Sequence, residues 1–245
     1  MIPKIIHYIW FGGNQYSNKI QKCINSWHKY LPDYEFMLWN ENTFDIENSC
    51  NFVKEAFEHK KWAFVSDYVR IWALEKFGGF YLDTDVEVVR PLDEFINNRM
   101  VLGTDENGRL TAFMASEKNH PLWKQLLTKY HTMNFVNPDG SLNTTVNNIY
   151  IENILKKFGY SIENKLQNLN SGIIIYPDDW FHAANHMTGI LHITENTYTI
   201  HWHTLTWCDT STHVNRFIRV RILGKILGRK QANWLFMKLH NLLKK

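Results

Sequence analysis

A helix, two glycines, a strand and an acidic pair follow one another without a break in AFVSDYVRIWALEKFGGFYLDTDVEVV, residues 63–89. Residues 63–77 carry apolar side chains on most faces, so they predict a buried helix rather than a surface one. Gly78-Gly79 is the usual signal for a helix C-terminus. FYL then reads as a short strand buried on both faces, interrupted or turned at Asp83-Thr84-Asp85. A chain built around this unit has to place a helix against a sheet, and it has to find work for two carboxylates one residue apart.

The flanking segments extend the same alternation. KIIHYIWFGG predicts a first strand ending in a tight loop, and SNKIQKCINSWHKYLP predicts a helix with Ser17 as N-cap and Pro32 as its stop. YEFMLWN predicts a second strand, so the chain opens with a parallel β-α-β unit. MVLGT and TAFMAS are short strand candidates, PLWKQLLTKYH and NNIYIENILKKFG predict helices, and GIIIYP and TYTIHWHTLTW are late strands. With no repeat, low-complexity tract or linker, 1–214 reads as one α/β domain of the Rossmann-like kind, a sheet flanked by helices.

From about residue 215 the pattern changes. Nine Lys and Arg stand between Arg216 and Lys245 with no acidic residue, which leaves 18 basic against 24 acidic residues ahead of them. The net charge of +3 therefore hides a mildly acidic body and a basic tail, 215–245, with Phe217, Ile218, Leu223, Trp234, Phe236 and Leu239 among the cations. An amphipathic basic helix with Trp and Phe suits an anionic membrane surface better than nucleic acid. Three cysteines without a C-x-x-C pair indicate neither a zinc ribbon nor a disulfide framework, and a reducing compartment is the simple reading. The N-terminus lacks the features of a signal peptide and no run approaches the ~20 apolar residues of a membrane span. The expected location is cytoplasmic, peripheral on the inner face of the plasma membrane.

Asp83 and Asp85 come together either in a strand, where i and i+2 share a side, or in a turn at Thr84. Paired carboxylates repel, and a shared cation relieves the repulsion. Hard oxygen ligands favour Mg²⁺ or Mn²⁺, ions that bridge carboxylates to phosphates, and open α/β sheets bind ligands beyond the C-terminal ends of their strands. An isolated Asp-x-Asp is commonly a solvated turn; here the flanks decide. Asp67 and Arg70 share a face of an otherwise apolar helix, where buried charges need partners or work, and could grip sugar hydroxyls. In TYTIHWHTLTW, His201 and His203 are candidates for a further metal ligand, His201 the favoured one, with Trp207 just beyond. His182, His186 and His192 have no comparable context. VNPDGSLNTTVNNIY could form an acceptor-side loop through Asn143, Thr144 and Thr145, although capping and turn roles suit those residues equally well.

Taken in order, IPKIIHYIWFGG, SDYVRIWALEKFGGFYLDTDVEV and YTIHWHTLTW resemble the DXD-containing sugar transferases. That group includes bacterial capsular-polysaccharide and lipopolysaccharide glycosyltransferases and fungal Golgi mannosyltransferases, with the glucosylating domains of large bacterial toxins more distant. The resemblance implies a GT-A fold, a nucleotide-sugar donor, Mn²⁺ or Mg²⁺, and transfer with retention of anomeric configuration. It implies that Asp83 and Asp85 engage metal, ribose and diphosphate, and that Asp67 and Arg70 hold the donor sugar. Tyr81 would line the donor pocket and Trp10 would stack on the base. His7 matches the motif without an assigned role. The C-terminal run departs from the usual adjacent histidines and Ser-Trp pair: His201-Trp202-His203 and Thr206-Trp207 stand there, with Trp207 in register on the donor side.

The expected function is then a metal-dependent retaining glycosyltransferase moving a sugar, UDP-linked by expectation, to a growing, lipid-linked surface polysaccharide. Two other classes compete: a metal-dependent nucleotidyltransferase or phosphohydrolase, and a non-catalytic carbohydrate- or membrane-binding module. The first leaves SDYVR and the aromatic HYIW strand without a job. The second leaves the acidic pair without one.

Overall fold

The structure, a computed structural model, describes residues 1–186 and 189–204 together with Gly228 and Gln231, Thr111 in its backbone alone. The basic tail expected over 215–245, those two positions aside, and Trp207 lie outside the described residues. No described helix is long and apolar enough to cross a membrane.

The chain opens as predicted. Strand β1 (Ile5–Ile9), helix α1 (Asn18–Tyr30) and strand β2 (Glu35–Trp39) form a parallel unit, with Ile5 opposite Glu35 and Ile9 opposite Trp39. Ser17 is the N-cap of α1, its hydroxyl accepting the Ile20 N–H. Helices α2 (Asn51–Glu58) and α3 (Trp62–Phe77) follow, then β3 (Gly79–Leu82), which pairs parallel to β1. The expected interruption of FYLDTDVEVV at Asp83-Thr84-Asp85 is a turn that divides it into two strands. Residues 84–85 form a turn, and β4 (Val86–Val88) leaves the main sheet. Next come β5 (Met100–Thr104), β6 (Leu110–Ser116), α4 (Pro121–His131), α5 (Asn147–Leu155), β7 (Gln167–Leu169), β8 (Ile173–Tyr176), the short α6 (Asp178–Phe181) and β9 (Thr199–His201).

The main sheet has seven strands in the order β2-β1-β3-β6-β5-β8-β7, parallel on the β2-β1-β3 side and mixed beyond it. β4 and β9 form a separate antiparallel pair. This is the α/β, Rossmann-like mixed sheet flanked by helices that the sequence predicts. Helices α2 and α6 and edge strand β7 were not legible in it: α2 and α6 are short, and QNL lacks an apolar run.

Alternation along the strands divides the interior into two cores. Phe80 and Leu82 point to the side where Ile20, Ile24 and Trp27 of α1 pack with Val86 and Val88. Tyr81, between them, points to the side covered by α2, α3, α4 and α5. α3 lies between the sheet and its neighbouring helices, which is why it is apolar around most of its circumference.

The turn from α3 into β3 positions everything downstream. The Gly78 N–H caps α3 on the Leu74 carbonyl at 2.9 Å with φ +69°, and Gly79 has φ +102°. A Cβ at Gly79 would stand 2.7 Å from the Ile5 carbonyl oxygen of β1. His7 locks the same corner: its Nε2 lies 2.8 Å from the Gly78 carbonyl and its Nδ1 accepts the Trp39 indole N–H at 3.2 Å. That pair of contacts requires the neutral tautomer with the proton on Nε2, and burial, opposed by the Gly78 carbonyl, pushes His7 down to about 4. The histidine that matched the motif without a role is a pin between β1, β2 and the turn. Gly79→Ala is expected to destabilise the fold by at least about 2 kcal/mol, combining a disfavoured φ with a backbone clash. A urea midpoint unchanged in that variant would show the corner to be more yielding than its contacts indicate.

Candidate functional site

β3 ends at Asp83, whose N–H still donates to the Ala112 carbonyl of β6 at 3.2 Å, and the Val86 N–H closes the turn on the Asp83 carbonyl at 2.9 Å. The turn, not an extended strand, is what brings Asp83 and Asp85 together. Trp27 of α1 donates its indole N–H to the Val86 carbonyl at 2.7 Å, fixing where β4 begins. β9 then pairs with β4, Val86 opposite His201, and the Trp202 N–H donates to the Asp85 carbonyl at 3.0 Å.

This pairing delivers His201 to the acidic turn. Its Nε2 is 3.3 Å from Asp85 Oδ1 and 3.8 Å from Asp83 Oδ2. One ligand atom from each of Asp83, Asp85 and His201 lies within 4.8 Å of the others. The Thr204 N–H and hydroxyl both donate to Asp85 Oδ2, at 2.6 and 3.0 Å. Burial opposes ionisation of Asp85, but the His201 imidazole and the Thr204 donors outweigh it and hold the carboxyl well below the usual carboxylate range. Two carboxylates and an imidazole on three chain positions fit a divalent ion with coordination places left for other oxygens. Asp83, Asp85 and His201 are the residues that would hold one.

His203 occupies a different place. β9 ends at His201 and His203 takes φ +49°, so the same-face rule of a strand does not reach it. Its ring packs against His201 with centroids 3.7 Å apart, while its Nε2 meets the Ala184 carbonyl at 3.0 Å. It is not in the group that Asp83, Asp85 and His201 form, although its ring lines the same cleft.

The other half of the site comes from α3 and α5. Arg70 lies 3.2 Å from Asp67 and 3.6 Å from Asp83, with its guanidinium carbon 4.6 Å from the centre of the Tyr81 ring. The Tyr81 hydroxyl donates to Asp83 at 2.5 Å. Arg70 thus keeps its charge in spite of burial, surrounded by the Tyr81 hydroxyl and two carboxylates. Asp67 accepts the Asn147 N–H at 3.0 Å, and the Asn147 side-chain amide donates to the Asp67 carbonyl at 3.1 Å. Burial pushes the Asp67 carboxyl up to about 6, with Arg70 and the Asn147 N–H pulling against it.

A cleft of ≈ 520 Å³ opens over these groups, lined by Trp10, Asp67, Arg70, Tyr81, Asp83, Asp85, His201 and His203 among others. Of the donor- and metal-site candidates from the sequence, all that fall within the described residues lie on it. Trp10 is held in the lining by its indole N–H on the Asn14 carbonyl at 2.6 Å and by an edge-to-face contact with Tyr16. Sequence reasoning missed Trp62, Asn147, Asn148 and Thr204, which also line the cleft. Asn147 follows the loop in which Asn143, Thr144 and Thr145 were singled out. Those three do not line the cleft, and the Asn143 side chain accepts the Thr145 N–H, a turn role.

With this geometry in view, comparison with known proteins is direct. Residues 17–102 match the family model described as glycosyltransferase sugar-binding region containing DXD motif. Inositol phosphoceramide mannosyltransferase 3 of Schizosaccharomyces pombe is 30% identical over 130 residues, 51% of this chain and 36% of that protein. The mannosyl phosphorylinositol ceramide synthase CSH1 of Saccharomyces cerevisiae is 25% identical over 64% of this chain and 43% of its own length. The matches thus span less than half of these relatives. Among solved structures, PaToxG glycosyltransferase superposes with a TM-score of 0.44 at 21% identity, over 52% of this chain and 59% of that one. The family match covers the segment holding α1, α3, β3 and the acidic turn, which is where the sequence resembles the DXD sugar transferases.

The Asp67–Arg70 pair carries a pH dependence. Asp67 ionises only above about 6, so acidification through that value protonates it and loosens its hold on Arg70. The raised value favours folding at low pH, a contribution lost as pH rises through about 6. Affinity for any polar ligand held by this pair is therefore expected to fall on acidification below about pH 6, while the fold is not destabilised by this group. In Asp67→Asn that acid limb disappears; a limb at the same pH in the variant would assign it elsewhere.

Proposed function

We propose that this chain is a metal-dependent glycosyltransferase that moves a sugar from a nucleotide-sugar donor to an acceptor hydroxyl with retention of configuration. The observation that carries the reading is continuity: Asp67, Arg70, Tyr81 and Asp83 form one chain of contacts that runs into the Asp83–Asp85–His201 group along a single cleft. A phosphohydrolase or nucleotidyltransferase needs the acidic group alone and leaves the buried Asp67–Arg70 pair without a substrate.

Each group has a defined task. Trp10 and Trp62 provide flat apolar surfaces at the cleft mouth for a base. Asp67 and Arg70 are held by their neighbours in fixed orientation, so they can bind sugar hydroxyls by charge-assisted hydrogen bonds without reorganising. Asn148 lines the cleft with a buried Oδ1 that has no protein partner, a ready acceptor for a hydroxyl. A divalent ion at Asp83, Asp85 and His201, Mn²⁺ or Mg²⁺ by its oxygen-rich donors, supplies positive charge to a departing diphosphate. Among the described residues the cleft-lining carboxylates are Asp67, Asp83 and Asp85, all engaged by neighbouring donors or by Arg70. That leaves none placed as a covalent nucleophile and favours attack by the acceptor from the leaving-group face.

Asp85→Asn is expected to weaken Mn²⁺ binding in a spin-resonance titration and to lower transfer about 10²–10³-fold, the scale of losing one charge-stabilising contact. Near-normal turnover in that variant would refute the metal role. We take the donor to be UDP-linked; the mannosyl transfer in the relatives' names makes a mannosyl nucleotide the second to test. A panel of nucleotide sugars with Mn²⁺, assayed for sugar release and for nucleotide release alone, separates these donors and separates transfer from phosphohydrolysis.

The acceptor in this reading is a lipid-linked carbohydrate, presented at the cytoplasmic face of a membrane on which the basic tail docks. Full-length protein is expected to float with anionic liposomes and to lose flotation in Arg219→Glu/Arg221→Glu/Lys225→Glu. Equal flotation of the two would remove the tail from the proposal.

A further inference from the structure

A second group of ligand-type side chains lies outside the donor cleft. The turn between β5 and β6 carries Asp105 and Glu106, and the loop after α6 carries His186. One ligand atom from each lies within 4.8 Å of the other two. His186 Nδ1 is 2.8 Å from Glu106 Oε1, close to the separation of neighbouring ligands on an ion whose bonds are about 2.1 Å long.

Two observations show that this group is incomplete as it stands. The Glu106 side chain is 7% exposed, and its Oε2 is buried without a hydrogen-bond partner. A carboxylate oxygen left that way has lost its water and gained nothing in return. The charges do not balance either. Among the described residues no Lys or Arg forms an ion pair with Asp105 or Glu106, and Arg109, on the same turn, sends its guanidinium to Glu152 at 2.9 Å. Two acids therefore face a single imidazole. The turn itself is preformed, because Asp105 Oδ1 accepts the N–H groups of Asn107 and Arg109 at 2.8 and 2.9 Å.

We infer that Asp105, Glu106 and His186 form a second divalent-cation site, with three protein ligands and places left for water or an anionic group. Two carboxylates and a neutral imidazole balance a 2+ ion, and this is the same donor set as at the acidic turn, so Mn²⁺ and Zn²⁺ serve as probes of both. The site joins two loops 80 residues apart in sequence. It also reaches the donor side through ring contacts: His186 lies edge-on 5.9 Å from His203, and His203 lies tilted 3.7 Å from His201. An ion here braces the histidine column that stands behind the acidic turn.

The test uses full-length protein stripped with chelator and titrated with Zn²⁺ or Mn²⁺ alone, by calorimetry and, for Mn²⁺, spin resonance. Wild type is expected to bind two equivalents, and Glu106→Gln, His186→Ala and Asp85→Asn one each, with circular dichroism confirming that each variant is folded. The ion lost in Glu106→Gln should weaken by at least about 100-fold, more than loss of an outer-shell partner costs. The site is overturned if Glu106→Gln and His186→Ala both keep the wild-type stoichiometry, or if wild type binds one ion that Asp85→Asn removes. In either case the acidic turn of the donor cleft stands unaffected. Loss of an ion in Glu106→Gln, with none lost in Asp85→Asn, supports this site and counts against the other.

Discussion

The burial of Arg70 is the constraint on which the site depends. A guanidinium at 13% side-chain exposure has to be surrounded by acceptors, and here they come from four places: the Ser66 carbonyl and Asp67 one helical turn away, Asp83 after β3, and the π face of Tyr81. Replacing that arrangement by apolar residues would serve stability as well or better, since buried ion pairs give back little more than their desolvation cost. The arrangement makes sense as pre-organisation. Charges fixed by one another need not reorganise when a polar ligand arrives.

The same economy extends to the acidic turn. Asp83 and Asp85 are separated by one residue, and nothing local neutralises both. Arg70 approaches the first from α3, and His201 with Thr204 approaches the second from the far end of the described chain. The turn is therefore a junction between the parallel half of the sheet and the small β4–β9 pair, and its position is set by rigid neighbours on each side: the His7-pinned Gly78–Gly79 corner before it and the Trp27–Val86 hydrogen bond after it. The second acidic group, at Asp105 and Glu106, has a histidine but, among the described residues, no counterpart of Arg70, and the contrast between the two groups is what marks it out.

How much of this was legible in residues alone varies along the chain. The β1-α1-β2 unit, α3 and β3 were, because each combines a clear apolar pattern (a stripe in α1, a nearly all-round surface in α3) with an unambiguous stop: Pro32 after α1, Gly78-Gly79 after α3. The break at Asp83-Thr84-Asp85 was legible too, but the departure of β4 from the main sheet was not, since the apolar residues of both strands continue the same alternation and the pairing with β9 is long-range. In the site, Asp67, Arg70, Tyr81, Asp83 and Asp85 lie within nineteen consecutive residues, 67–85, so spacing on a helix and a strand brought them within reach of inference. Asn147 and Thr204 did not have that advantage. Their contacts with Asp67 and Asp85 span 80 and 119 residues, and an Asn or Thr in a loop has too many ordinary uses to stand out.

By itself, then, the sequence determined the class of fold, the acidic pair at a strand end and the buried charged pair on the preceding helix, because periodicity and local spacing specify which residues share a face. Tertiary structure decided which histidine meets the carboxylates, how His7 is used, and where a cleft opens. The His201–His203 question shows why: both residues fit a strand pattern equally, and the choice falls to a backbone that ends its pairing at His201 and turns left-handed at His203. Such a choice depends on β4, more than a hundred residues away, and no local pattern encodes a partner at that distance.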